Sequence, residues 1–238
     1  MKIKDVHIKI LENFLYFNDK FGYDGNKLLK TRNTDKTVYI EAYIPDFIDL
    51  PLYTKDLTDI LKFITPETEI SMTNQGDVNY MHLNNGNGVV KYRLSNEVLV
   101  TKDVEHKVQF DLINYNENHF KFNLDTKTYD NIMKISKMLE CNLIDIYSID
   151  EKKIGIKTYK ESDVNGKQYT IEIEVNHDHH DKIYTFMLNQ LQFVKASDYL
   201  IDIGIKIISN GSIRPMMKVK AFCNNIEVKY VFLAKKIN

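Results

Sequence analysis

The chain has 238 residues, 43% hydrophobic and 27% charged, and its 32 basic and 33 acidic residues nearly cancel to a net charge of −1. Such a length suits two ordinary domains with sizeable cores, and the composition excludes a disordered chain. The apolar runs fall far short of the ~20 residues of a membrane helix, Met1-Lys2-Ile3-Lys4-Asp5 lacks a signal-peptide core, and Cys141 and Cys223 read as reduced and buried, so a cytoplasmic protein without a membrane partner is expected.

In chain order, helical periodicity first appears over about Ile3 to Asn18, where Val6, Ile10, Leu11, Phe14 and Phe17 share one broad apolar face. A strand pattern follows at Val38 to Ile44. Lys55 to Ile64 returns to helix, with Leu57, Ile60, Leu61 and Ile64 on one stripe, Thr54 at the N-cap position and Pro66 just beyond. Asn84-Asn85-Gly86-Asn87-Gly88 has turn chemistry. A third helix is predicted over Lys127 to Leu139, capped by Asp125 or Thr126, with Tyr129, Ile132, Met133, Ser136 and Leu139 inward. Asn165-Gly166 reads as a turn before the alternating strand Gln168 to Val175. A fourth, short helix is expected around Asn189 to Lys195. Strands at Tyr199 to Ile208 and Ile226 to Leu233 lie either side of a Ser209-Asn210-Gly211 turn.

Alternation of this kind gives sheets with one buried and one wet face, hence antiparallel sheets covered on one side by few helices: an α+β architecture. The helix starts also repeat. Leu52 to Lys62 can be laid over Leu124 to Lys134 with Leu, Thr, Lys, Ile and Lys coincident, a strand feeding a capped helix in both copies. Two similar domains follow, 1–111 and 112–238, with the boundary near Gln109 to Asn116.

Positions seven apart on a helix differ by about 20° and share a face. Lys55 and Lys62 form such a pair opposite the apolar stripe of the second helix, and Lys127 and Lys134 repeat it on the third, with Lys137 close by. Lys2 and Lys9 are spaced alike on the polar side of the first, and the fourth offers Asn189, Gln192 and Lys195. These lysines are candidates to face nucleic acid, touching phosphates without reading bases. Asp5, Glu12, Asp59 and Asp130 are mixed among them, as on any solvated helix face.

Other chemistry is sparse. Asn176-His177-Asp178-His179-His180-Asp181 holds metal-ligand types, but adjacent loop residues diverge and no second cluster completes a shell, so a polar turn between strands is expected. There is no phosphate-binding Gly-Lys-Ser/Thr loop and no Gly-x-Ser-x-Gly elbow, and no histidine neighbours a candidate nucleophile. No catalytic residue, metal or cofactor is assigned.

The run Leu29-Lys30-Thr31-Arg32 through Tyr39-Ile40-Glu41-Ala42-Tyr43-Ile44 to Asp46-Phe47-Ile48-Asp49 resembles the sliding clamps of T-even bacteriophages. Leu11-Glu12-Asn13-Phe14, Asp56-Leu57, Glu69-Ile70-Ser71, Lys134-Ile135-Ser136-Lys137, Phe186 with Asn189, and Tyr199 follow in register. The closing run Val228 to Ile237 is similar to the last strand of eukaryotic and archaeal clamps, although Lys235 stands where those usually have Pro.

The resemblance implies a non-catalytic processivity factor with antiparallel sheets outside and amphipathic helices on one face, assembling as a homotrimeric ring around duplex DNA without sequence specificity. The implied partners are the C-terminal tail of a DNA polymerase, an ATP-dependent clamp loader, and a late-transcription sigma factor with its coactivator, all in the host cytoplasm. In such clamps a partner's hydrophobic tail enters between an interdomain connector and the C-terminal strand. Here these are Val108 to Ile113 and Phe232-Leu233-Ala234, which makes Phe110, Leu112, Leu233 and Ala234 the candidate pocket. The competing readings are a β-rich phage tail or baseplate protein and a metal-dependent hydrolase built on His177 to Asp181.

Overall fold

The computed structural model describes residues 2–18, 22–23, 27–45, 52–94, 110–175, 177, 179, 181–207 and 211–234. The chain forms two compact units, Met1–Phe110 with Cys223–Val228, and Asp111–Phe222 with Lys229–Asn238. No helix among the described residues is long and apolar enough to cross a membrane.

In the first unit, α1 (Asp5–Phe17) buries Val6, Ile10, Leu11 and Phe14 at helical spacing. It starts two residues later than its apolar pattern because the preceding backbone is spent on strand-like pairing. Ile3 N–H donates to the Thr68 carbonyl, and Lys2 bridges Glu69. Strands β1 (Gly22–Tyr23), β2 (Leu28–Arg32), β3 (Val38–Tyr43) and β4 (Leu52–Tyr53) lie in the order β4-β1-β2-β3, antiparallel throughout. Then come α2 (Thr54–Leu61) and the meander of β5 (Glu69–Gln75), β6 (Val78–Asn84) and β7 (Val89–Arg93). The expected helix to Ile64 stops at Leu61, where Lys62 and Phe63 switch to i→i+3 bonds with Asp59 and Ile60. The turn joining β6 to β7 is held by Asn side chains: Asn84 Oδ1 accepts from Gly86 N–H, and Asn85 Oδ1 from Asn87 and Gly88.

β3 does not alternate: Val38 to Ala42 are all buried. Its second face hides Tyr39 and Glu41, and the Glu41 carboxylate accepts from Tyr39 Oη at 3.2 Å and from Phe110 N–H at 3.3 Å. Burial and the neighbouring carboxylate hold the Tyr39 phenol well above its ordinary range.

A 3-10 turn at Phe110–Leu112 leads into the second unit, which opens with β8 (Glu117–Asp125) and α3 (Thr126–Met138). β9 (Leu143–Asp150), β10 (Lys153–Lys160), β11 (Asp163–Glu174) and β12 (Ile183–Met187) form a sheet in the order β11-β10-β9-β12. β13 (Asp198–Ile207), β14 (Ile213–Cys223) and β15 (Ile226–Leu233) continue in the order β15-β14-β13-β8. Phe122, Leu124, Tyr129, Ile132, Ile146 and Ile201 meet in the core.

Three local expectations are corrected. Asn165-Gly166 is not a turn between strands. It sits inside β11, where the register jumps from Tyr159↔Gln168 to Lys160↔Asp163, so the extra residues bulge outward and the turn falls earlier, at Glu161–Ser162. In the loop between β11 and β12, expected as a polar turn, His177 is packed instead: it is 8% exposed, its N–H donates to the Glu151 carbonyl, and its ring meets Phe120 at 5.0 Å, while Asp181 is exposed. Within that stretch, Asp178 and His180 lie outside the described residues.

The fourth helix is the third correction. Only Leu188–Gln190 coils, as one 3-10 turn, and 191–196 is irregular. Its main-chain groups find tyrosine hydroxyls instead of an i→i+4 ladder. Tyr129 Oη donates to the Leu191 carbonyl (2.7 Å) and accepts from Phe193 N–H (3.0 Å). Tyr230 Oη accepts from Val194 N–H at 2.8 Å, and Tyr199 Oη donates to the Val194 carbonyl at 3.3 Å. Buried backbone must be paired, and here side chains from α3, β13 and β15 meet that demand.

Candidate nucleic-acid interface

α3 begins on a side-chain cap. The Asp125 carboxylate caps it, accepting from Thr128 N–H at 2.9 Å and Thr128 Oγ1 at 2.7 Å, and these bonds hold the carboxyl below its usual range. Tyr129, Ile132 and Ser136 point inward, and Ser136 Oγ bonds Thr158 Oγ1 of β10 at 2.8 Å in the core. The inward stripe fixes the rotation of the helix, so Lys127, Asp130, Lys134 and Lys137 share the exposed face. Lys127, Lys134 and Lys137 have no ion partner among the described residues.

The acid on that face is engaged: Lys195 Nζ lies 3.8 Å from Asp130 Oδ2. Lys195 reaches it from the irregular segment, whose end is also tied to α3 by Thr126 Oγ1, a donor to the Ala196 carbonyl and, at 2.8 Å, to that of Ser197 just beyond.

The lysines of the first unit stand differently. Lys2 pairs with Glu67 at 3.4 Å, Lys9 with Asp5 one turn before it, and Lys62 with Asp59 at 3.0 Å. Asp59 also accepts from Tyr92 Oη at 3.1 Å. The side chain of Lys55 lies outside the described ones. Both repeat copies do form a strand feeding a helix, β4 into α2 and β8 into α3, but α2 has 8 residues and α3 has 13.

Of the residues assigned to a partner pocket, Phe110 is 3% exposed, Ala234 is 2% exposed with its N–H on the Pro215 carbonyl, and Leu233 is half-buried. The side chain of Leu112 lies outside the described ones.

A histidine pairing in the second unit has no counterpart in any local sequence signal. Between Ile203↔Phe120 and Gly204↔Asn118 the register slips, so His119 is a bulged residue turned inward beside Phe120. A side chain at Gly204 would strike the Glu117 carbonyl, so glycine is what admits the bulge. His119 bonds Tyr184 Oη and Glu117 Oε2, and its ring centroid lies 4.4 Å from that of His179. Burial pushes its pKa down, opposed by Glu117 and reinforced by His179 and Lys182. Among the described residues no group of three or more His, Cys, Asp or Glu is arranged to hold a metal ion.

No protein-family model matches the chain. It is 35% identical over 81 residues to the sliding clamp of Escherichia phage RB69, a match covering 33% of this chain and 36% of that relative's length. In fold the likeness runs nearly end to end. The PCNA2–PCNA3 complex of Sulfolobus tokodaii superposes with a TM-score of 0.67 at 14% identity, covering 96% of this chain and 95% of that one. Proliferating cellular nuclear antigen from Entamoeba histolytica gives 0.66 at 14% identity over 97% and 95%, and that of Thermococcus kodakaraensis 0.65 at 12% over 96% of each. The chain has the clamp fold of these structures.

Proposed function

We propose that this protein is a phage sliding clamp, a non-catalytic processivity factor that closes as a homotrimer around duplex DNA in the host cytoplasm. The observation that carries the reading is the end-to-end likeness in fold to the nuclear-antigen structures. The RB69 match favours a phage clamp over a tail or baseplate component. A ring cannot leave DNA sideways, so its hold needs no tight contact. Lysine–phosphate contacts suffice, and because they are independent of sequence they exchange along the duplex and permit sliding. A polymerase docked by its C-terminal tail is thereby tethered at high effective concentration near its primer end. Phe110, Leu112, Leu233 and Ala234 are the proposed pocket for that tail. An ATP-dependent loader would open the ring, and a late-transcription sigma factor with its coactivator would also dock on it.

Ring closure has a physical motive. β11 is 12 residues long, pairs only with β10, and leaves its other edge without a strand among the described residues. An open edge of that length invites pairing with another chain, here a second copy. Sedimentation equilibrium at micromolar protein is expected to give a trimer that dissociates on dilution. A monomer at every concentration up to ~100 µM, weak by the scale of stable assemblies, would overturn the self-assembling ring.

A further inference from the structure

We infer that the phosphate-contacting charge of each subunit is concentrated on α3 of the second unit, with the helices of the first unit contributing little. The inference rests on the DNA-encircling reading above and narrows it from all the helix lysines to three: Lys127, Lys134 and Lys137.

Two independent observations carry it. The first is formal charge. α3 sets Lys127, Lys134 and Lys137 against Asp130 alone, a surplus of two positive charges. α1 sets Lys9 against Asp5 and Glu12, a deficit of one, and α2 sets Lys55 against Asp56 and Asp59, a deficit that Lys62 just past its end only cancels. The second is pairing. Lys2, Lys9 and Lys62 are each held by a carboxylate within the first unit, whereas the α3 lysines have no ion partner among the described residues. The acid of the α3 face is itself occupied by Lys195.

The physics separates the two kinds of lysine. A free lysine meeting a phosphate releases a condensed counterion and gains its entropy. A paired lysine must first give up its carboxylate, and that carboxylate then stays nearby and repels the same phosphate. At Lys62 the repulsion is fixed in place, because Asp59 is held by Tyr92 as well. Lys195 acts as a positioning residue: it screens Asp130, which would otherwise sit between Lys127 and Lys134 facing the same phosphates.

The test compares two matched triple variants of the full chain, K127Q/K134Q/K137Q and K2Q/K9Q/K62Q. Fluorescence anisotropy of a labelled linear duplex is titrated with each at a series of salt concentrations. Every lysine exchanged is exposed, so circular-dichroism melts should match wild type and confirm folding. The α3 triple is expected to reduce the slope of log affinity against log salt by about 3 per engaged subunit, about one for each phosphate no longer neutralised, and the first-unit triple by less than one. Equal reductions for the two triples would overturn the inference while leaving the DNA reading standing. Wild-type association with duplex that does not weaken as salt rises would overturn both, because phosphate contacts must release counterions. A third variant, K195Q, should weaken binding with the α3 lysines intact; if it does not, the screening role is wrong.

Discussion

Tyr129→Phe isolates one hydroxyl and nothing else. The ring stays, with its stack on Phe193 at 5.0 Å and its 8% exposure, so no cavity opens. Two backbone groups lose their partner: the Leu191 carbonyl in the core and the half-buried Phe193 N–H. A buried polar group stranded in this way costs about 1–3 kcal/mol. Taking the upper part of that range for the carbonyl and the lower part for the amide gives about 2–4 kcal/mol. With a urea dependence of about 2 kcal/mol per molar, the unfolding midpoint should fall by about 1–2 M. Far-UV circular dichroism gives the midpoint, and hydrogen exchange at the Phe193 amide gives the local effect. Tyr16→Phe, at a residue 58% exposed, is the control and should stay within about 0.5 kcal/mol of wild type. If the two variants have equal midpoints and Phe193 exchanges no faster, the hydroxyls do not hold the segment.

Glu41→Ala should remove the acceptor that the Tyr39 hydroxyl and the Phe110 N–H share and cost about 2–4 kcal/mol, whereas Glu41→Gln retains an acceptor and should cost about 1 kcal/mol. Exchange at the Phe110 amide should quicken in the first variant, and an E41A midpoint equal to wild type would count against the anchor. His119 makes stability depend on pH. Because burial lowers its folded pKa, the unfolded chain takes up the proton first, so the stability it contributes is present above about pH 6.5 and lost as pH falls toward the folded value. His119→Gln should therefore flatten the decline in stability on acidification below about pH 6.5, and an unchanged slope would show that another group titrates there.

Local pattern determines the part of the structure that is legible in the sequence. The apolar faces of α1 and α3 follow from side-chain periodicity, and the Asp125 cap from its place before an amphipathic run. The pairs Asp5–Lys9 and Asp59–Lys62 are one helical turn apart and lie within reach of the same reading. So does the surplus charge of α3, which emerges once acids are set against lysines helix by helix. The rest depends on distant partners. Lys2 meets an acid 65 residues away. The segment after Leu188 has a helix-like apolar spacing, yet its hydrogen bonds are satisfied chiefly by Tyr129 and Tyr230, 62 and 36 residues away, and no local signal records that. Asn165-Gly166 has turn chemistry, but pairing with β10 sets the register around it.

The division of the chain bears on its birth. The first unit comprises residues up to Phe110 and then Cys223–Val228, with 111–222 synthesised in between. At about 5–20 residues per second, a ribosome needs roughly 6–20 s to cover that interval. For that time a nascent N-terminal unit lacks its last six residues, among them Ile226 and Val228, which are 6% and 0% exposed in the finished fold. Folding cannot therefore run strictly in the order of translation. The six residues that complete the early unit become available to it only after the late half has been made.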